Sequence, residues 1–493
     1  MRTSSSILIV TLVSAFFLAA FTGCSRSPLT RKRDAIHHFN RGVTHFNLED
    51  YDQAIAEFTV AIELDSTYAE AYYSRGNTYY AKQAFDSAIA DYSTVINLDR
   101  KHAKAYNNRG NAYNKGGSQR RALLDYSKAI EIDQAFAAPY YNRANLLMEI
   151  DEYDRAIIDY SKAIEADSAY TDAYFARGNA HRSTQQYDRA IQDYTEAIKL
   201  LPNHAYAYHN RGLSHHRMNE YDEAIEDYSH AIEFNPNRPQ TYRNRANAYH
   251  SKGDYDSALD DYTRVIGLDP VATDAHEGRA SIHHEKGDYD LAIADYDRII
   301  ELNPTSADAF RNKADIYHKM GDYQQAIDNY AAVIELNPLA ADAYNNRGII
   351  YDELGRLEDA VEDYSKAIEI DPEYAEAYNN RGASRTHQRR DHKALGDYSR
   401  AIELNPDYAA AYYNRGNTHY NLGEYARAIN DYDRALELDP SKVDAYYKKA
   451  RALEAQGRYD HAAEAYRTYV RHARKEDAVK IERARQRIKN LQE

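Results

Sequence analysis

Four histidines, His216, His250, His284 and His318, stand 34 residues apart. An imidazole ligates metals and changes charge near neutral pH, so the row reads either as a metal site or as a titrating wall. Asparagine recurs at two more places with the same interval. One set is Asn40, Asn108, Asn142, Asn210, Asn244, Asn312, Asn346, Asn380 and Asn414, and the other is Asn77, Asn111, Asn145, Asn179, Asn247 and Asn417. Each carboxamide both donates and accepts, and so can meet the amide and carbonyl groups of another polypeptide. Asparagine is a mediocre helix former, so propensity does not explain its repetition. The plainer alternative is that it solvates an exposed helix face. Other chemistry is thin: no GxxxxGK[ST], GxSxG or HExxH stretch occurs, and a single cysteine, Cys24, builds no thiol-rich metal site.

What positions these residues is a unit of 34 residues, repeated thirteen times without insertion or deletion. Its small anchor is Gly42, Gly76, Gly110, Ala144, Gly178, Gly212, Ala246, Ala280, Ala314, Gly348, Gly382, Gly416 and Ala450. Twelve residues after each anchor comes alanine, from Ala54 to Ala462. Large residues surround both: an aromatic or histidine four before the anchor, as at Tyr72 and Tyr106, and an aromatic four after the alanine, from Phe58 to Tyr466. Small against large at helical spacing predicts two packed helices. Gly117, Gly253, Gly287, Gly321, Gly355, Gly423 and Gly457 fall seven after the anchor, where a left-handed residue ends a helix. Proline closes the second helix in eight units, from Pro202 to Pro440.

This helix, turn, helix, stop unit resembles the tetratricopeptide repeat (TPR) over residues 34–470. The resemblance implies an all-α fold, a right-handed superhelical solenoid of thirteen hairpins, with residues 471–493 as a C-terminal capping helix. Tyrosine replaces the usual tryptophan, in a chain with 48 Tyr and no Trp. Arginine or lysine replaces the usual leucine just before the anchor. Sixteen residues after that basic residue stands an acid, from Glu57 and Asp91 to Asp431, except at Asn329 and Ala465. Those two units carry Lys313 and Lys449 in place of arginine. The covariation predicts an ion pair within each arginine hairpin, because a planar guanidinium meets a carboxylate through two parallel bonds and an ammonium does not.

The resemblance also implies that the position four after the anchor lines a concave groove, which makes the four histidines a column. Neighbouring helices lie about 8–10 Å apart, whereas a zinc ligand lies about 2 Å from the metal. A column of single histidines does not close on one ion, and the expectation is a polar, pH-sensitive wall. The asparagines are similar to the ladder in the superhelical repeats of O-GlcNAc transferases, which implies amides that bind the backbone of an extended peptide. The expected groove set is Asn77, Asn108, Asn111, Asn142, Asn145, Asn179, Asn210, Asn244, Asn247, Asn312, Asn346, Asn380, Asn414 and Asn417 with the four histidines.

At the N-terminus, Arg2 precedes an apolar run, Ile7–Phe21, and Thr22-Gly23-Cys24 follows. The run is shorter than the roughly 20 residues of a membrane span and suits a secretory signal over residues 1–23. It resembles the bacterial lipoprotein signal, with Phe21 where that pattern prefers leucine. The resemblance implies lipid on Cys24, a place in the bacterial cell envelope and, from Ser25, the outer membrane; a secreted or periplasmic protein is the alternative. Residues 24–33, polar with Pro28 and four basic side chains, read as a tether. In 471–493, Ala478, Ile481, Ala484, Ile488 and Leu491 form an apolar stripe that suits a solenoid cap; a basic amphipathic helix also suits a membrane or an acidic partner. The net charge of −15 argues against a nucleic-acid surface. No stretch remains for a catalytic domain. The expected function is a non-enzymatic scaffold without a cofactor, gripping an extended segment of a protein partner; the alternative is a recognition subunit of an envelope enzyme.

Overall fold

A small residue every 34 positions matters because an aromatic ring lies on it. In the computed structural model, which describes residues 27–474 and 477–491, a methyl group added at Gly76 would stand 2.8 Å from the Tyr92 ring, and one at Gly382 2.7 Å from Tyr398. These rings are almost wholly buried, together with the alanines Ala88 and Ala394 that face them. The expected signal segment, 1–23, and Cys24 lie outside the described residues.

The described residues form 27 helices and no strand, from α1 (Pro28–Asn47) and α2 (Tyr51–Leu64) to α27 (Ala478–Asn490). The first 26 pair as thirteen hairpins with turns of two or three residues. The hairpins fall into two units. One ends at Pro236 after α12 (Tyr221–Phe234), and the other begins at Asn237 before α13 (Pro239–Lys252). No helix among the described residues is long and apolar enough to cross a membrane.

The turns obey one geometry. The seven glycines expected to be left-handed have φ of 72 to 81°. The same position in the other six hairpins holds Glu49, Gln83, Asp151, Gln185, Asn219 and Arg389, at φ of 59 to 62°. Packing of the helix pair demands this turn, so side chains that disfavour αL adopt it. The second helices also end alike. Asp65, Asp99, Asp133 and Asp167 follow helices without a closing proline, and each side chain accepts the backbone N–H two residues on, at 2.9–3.0 Å. Asp371, Asn405 and Asp439 do the same where proline is present. The Asx turn ends the helix in both classes, which is why the early units manage without proline.

Both ends differ from expectation. Residues 28–33, expected as tether, are helical: Ser27 caps α1 by accepting from the Thr30 N–H, and Pro28 occupies the first turn, where its missing donor costs nothing. At the other end α26 (Tyr459–His472) runs two residues past the expected array boundary, and α27 packs on the last hairpin. Ala484 follows Ala450 by the same 34 residues and is as fully buried as the anchors. Ile481, Ile488 and Leu491 pack beside it, while Ala478 is exposed. Thus α27 stands where the first helix of a further hairpin would begin.

Candidate functional site

The orientation of each first helix is set by its arginine. All eleven arginines pair with the acid of their own hairpin at 2.6–2.8 Å. Arg109 is typical: Nε donates to Asp125 Oδ2 at 2.7 Å and Nη2 to Oδ1 at 2.8 Å. Its third group, Nη1, donates to Ser93 on the preceding hairpin at 3.0 Å. Thr59, Ser127, Ser161, Thr195, Thr263, Ser365 and Ser399 receive the same bond from the arginines of their neighbours. The guanidinium is flanked on its own helix by Tyr106 and Tyr113, with 5.5 and 5.8 Å to the ring centroids. One side chain therefore ties three helices together. Sequence reading found the pair and missed the hydroxyl, although serine or threonine sixteen residues before the arginine was a visible signal.

The lysine units invert the arrangement. Lys313 reaches back to Asp297 at 2.5 Å, and Lys449 to Asp433, the positions where the arginine units carry serine or threonine, save that of Arg347, which has Ala331. An ammonium holds one carboxylate, and here that carboxylate lies on the preceding hairpin, so the acid within the hairpin is dispensable.

With the first helices so held, the asparagines on either side of each arginine form two rows, all half-buried except Asn40, which is exposed. In the row just after the anchor, the carboxamide oxygen accepts the hydroxyl of the buried tyrosine. Tyr92 donates to Asn77, Tyr126 to Asn111, Tyr160 to Asn145, Tyr194 to Asn179, Tyr262 to Asn247 and Tyr432 to Asn417, at 2.5–2.9 Å. Burial pushes the Tyr194 and Tyr262 phenols up to about 12, so they remain donors at neutral pH. In the row two before the anchor, Nδ2 donates to the preceding hairpin. Asn108 donates to Asn77 and Tyr73, Asn142 to Asn107, Asn210 to Asn179, Asn380 to Asn345 and Asn414 to Asn379. Asn346 donates to Tyr330 at 3.3 Å, while Asn244 and Asn312 hold the same half-buried position in their hairpins. The expected ladder is thus wired into the protein through Asn107, Asn345 and Asn379, which sequence reading passed over although each precedes another asparagine. Asn77, Asn108 and Asn111 meet at an open cavity of about 110 Å³ that Tyr80 and Tyr92 complete.

The histidines occupy an aromatic position. His216, His250, His284 and His318 pack on Tyr221, Tyr255, Tyr289 and Tyr323, at 5.4–6.0 Å between centroids, as Tyr80 packs on Phe85. His216 belongs to the first unit. In the second, His250 meets Glu285 at 3.2 Å, His284 meets Lys319 at 2.8 Å and His318 meets Glu353 at 2.9 Å, each on the next hairpin. Burial lowers the pKa of His216, and burial with the Lys319 charge lowers that of His284. Among the described residues no three His, Cys, Asp or Glu side chains converge in a metal-binding group.

Stacked hairpins locked by buried ion pairs, with polar rows along their first helices, define a helical repeat scaffold. Profiles described as tetratricopeptide repeat match residues 137–170, 205–238, 243–307, 311–375 and 413–478, and those described as TPR repeat match 42–83, 76–117, 110–151, 178–219 and 390–423. The chain belongs to the tetratricopeptide repeat family, whose members are protein-interaction scaffolds. No curated protein matches it. Among solved structures it is similar to YrrB, described as a TPR protein with an unusual peptide-binding site: 26% identity, 38% of this chain and 97% of that one, TM-score 0.35. It is similar also to MamA, at 29% identity over 32% of this chain and 93% of that one, TM-score 0.31. Yeast Tom70 matches at 18% identity over 87% and 96%, TM-score 0.37.

Proposed function

We propose that this chain is a non-enzymatic scaffold that holds an extended segment of a protein partner along its asparagine rows. The observation that carries the reading is how the amides are tied. The oxygen of Asn77 is occupied by Tyr92 and Asn108, and that of Asn111 by Tyr126, so both have N–H groups left to offer the cavity they line. Part of the other row has the opposite polarity. Asn142 and Asn210 commit Nδ2 to a neighbour, and among the described residues no donor reaches their oxygens. Asn77 and Asn111 offer donors and Asn142 and Asn210 acceptors, the complement of an extended backbone, whereas the oxygens of Asn108, Asn346 and Asn380 already accept from the asparagine before each. A strand rises about 3.3 Å per residue and helices pack about 8–10 Å apart, so each hairpin would read about three partner residues.

A single such bond contributes about 0.5–1.5 kcal/mol net, so one substitution is nearly silent and several act together. The full chain, used to select extended peptides from a random displayed library, supplies the test ligands. Replacing Asn108, Asn142, Asn210 and Asn244 by alanine should then weaken binding about 30-fold or more. Unchanged affinity with intact helical circular dichroism refutes the reading.

The N-terminal sequence supports a lipid anchor on Cys24 and residence in the bacterial cell envelope, at the outer membrane. Metabolic labelling with a fatty-acid analogue tests it: wild type should label and fractionate with membrane, and Cys24→Ser should do neither. A wild-type chain that never labels refutes the anchor.

A further inference from the structure

Helix α1 starts earlier than any other first helix among the described residues. From α3 (Ala69–Ala81) to α25 (Val443–Ala455), each first helix begins seven residues before its anchor, whereas α1 begins fourteen before Gly42, at Pro28. The surplus is two turns, about 10 Å of helix. It stands clear of the hairpin: every residue from Pro28 to Arg33 is exposed, Leu29 at 83%. It carries Arg31, Lys32 and Arg33, and residues 28–33 hold no acid. Those three side chains pair with no carboxylate among the described residues. Asp65, which feels the charge of Lys32, is committed to Thr67. Cations in the first turns of a helix also oppose its dipole, so the fold gains nothing from placing them here.

The position is as informative as the charge. Leu29, Lys32, Arg33 and Ile36 fall at helical spacing along one side of α1. Ile36 is 42% exposed, at a place where later hairpins carry acids such as Glu70, Asp172 and Asp274. The exposed side is therefore both basic and apolar. Only residues 25–27 separate Cys24 from Pro28. Four steps of chain span at most about 14 Å, so a lipid on Cys24 sets the start of α1 within about two Debye lengths of the headgroups. Because the two turns are helix and continue into the first hairpin, they carry that hairpin with them.

We propose that the first two turns of α1 lie on an anionic lipid surface, with Arg31, Lys32 and Arg33 at the phosphates and Leu29 and Ile36 at the acyl boundary. The inference rests on the lipid anchor read above and turns that anchor from a tether into a rigid footing. Basic residues beside a membrane attachment are drawn to anionic headgroups, and a helix with apolar residues on the same side seats them in the interface. The chain as a whole, with its net charge of −15, is repelled by the same surface, which confines the contact to the overhang. An acidic protein would meet the cations equally well, but the anchor brings lipid to them first.

The test uses the chain from Cys24 to Glu493, which holds every described residue, coupled through its single thiol to vesicles that carry a maleimide-headgroup lipid. One set is phosphatidylcholine, the other an equal mixture of phosphatidylcholine and phosphatidylglycerol. Amide hydrogen exchange of residues 31–36 is read by mass spectrometry. On the anionic vesicles it should slow about tenfold or more, since each basic residue near such a surface is worth about fivefold, and about 1 M salt, with a Debye length of about 3 Å, should abolish the effect. Arg31→Gln/Lys32→Gln/Arg33→Gln should lose the protection with helical circular dichroism intact, while Arg31→Lys/Arg33→Lys, which keeps the charge, should retain it. Unchanged exchange on anionic vesicles, equal protection on phosphatidylcholine, protection that survives the triple variant, or equal protection of the uncoupled chain by polyglutamate overturns the proposal. Chemical coupling keeps the two readings apart: failure of the lipid anchor shows in the fatty-acid labelling, and failure of this surface only here.

Discussion

Asp125→Ala is the sharpest probe of how the array is held together. The carboxylate accepts two charge-assisted bonds from Arg109, and its side chain is 8% exposed. Removing one partner of a fully buried pair costs about 3–5 kcal/mol, whereas an exposed pair is worth about 0–1. Arg109 is 19% exposed, so once orphaned it rehydrates in part, and it keeps Ser93 and its two tyrosines. The expected cost is about 2–3 kcal/mol, between those limits. A repeat array opens hairpin by hairpin, so a global melt dilutes the effect; amide hydrogen exchange read by mass spectrometry localises it. Exchange in α5 (Ala103–Lys115) and α6 (Gln119–Ile132) should quicken about 30- to 150-fold, at about 1.4 kcal/mol per factor of ten. Hairpins three or more units away should not change. Less than about a threefold effect would show that the pair behaves as surface decoration and refute the three-helix clamp.

Gln83→Gly and Gln185→Gly, at left-handed turns where the other hairpins use glycine, should each stabilise the array by roughly 0.5–1 kcal/mol, read as a higher midpoint in urea. Asp297→Ser should destabilise the ninth hairpin by orphaning Lys313, and adding Lys313→Arg with Asn329→Asp should restore it by recreating the majority pattern; hydrogen exchange in that hairpin decides. Burial lowers the folded-state pKa of His181, His204, His216 and His284. Below about pH 6.5 the unfolded chain therefore takes up protons that the folded one resists, so stability is full above that pH and falls as pH drops through it. Melting temperature should decline from pH 7.5 to 5.5, and His204→Gln/His216→Gln should flatten the decline.

The repeat was legible because its physics is local. A small residue against a ring sixteen positions on, and an arginine with an acid sixteen positions on, lie within one hairpin, so period alone specifies helices, turns and pairs. The lysine exception was legible as a coincidence of Lys313 with Asn329 and Lys449 with Ala465. Its cause, Asp297 and Asp433, was not, because it crosses to the preceding hairpin, and only packing decides which second helix a side chain reaches. For the same reason the sequence located the asparagine rows but not their wiring. An amide in a list of residues is free to donate or accept, and Tyr92 or Asn108 removes that freedom only once the hairpins stack. Proline marked eight helix ends, while the ends without it depend on an Asx turn that Asp65 and Asp99 carry in plain sight. Residues 28–33 look like a tether by composition and become helix because Ser27 and Pro28 cap them and the array continues behind them. Spacing within a hairpin determined the fold, and contacts between hairpins decided what its polar side chains have left to offer a partner.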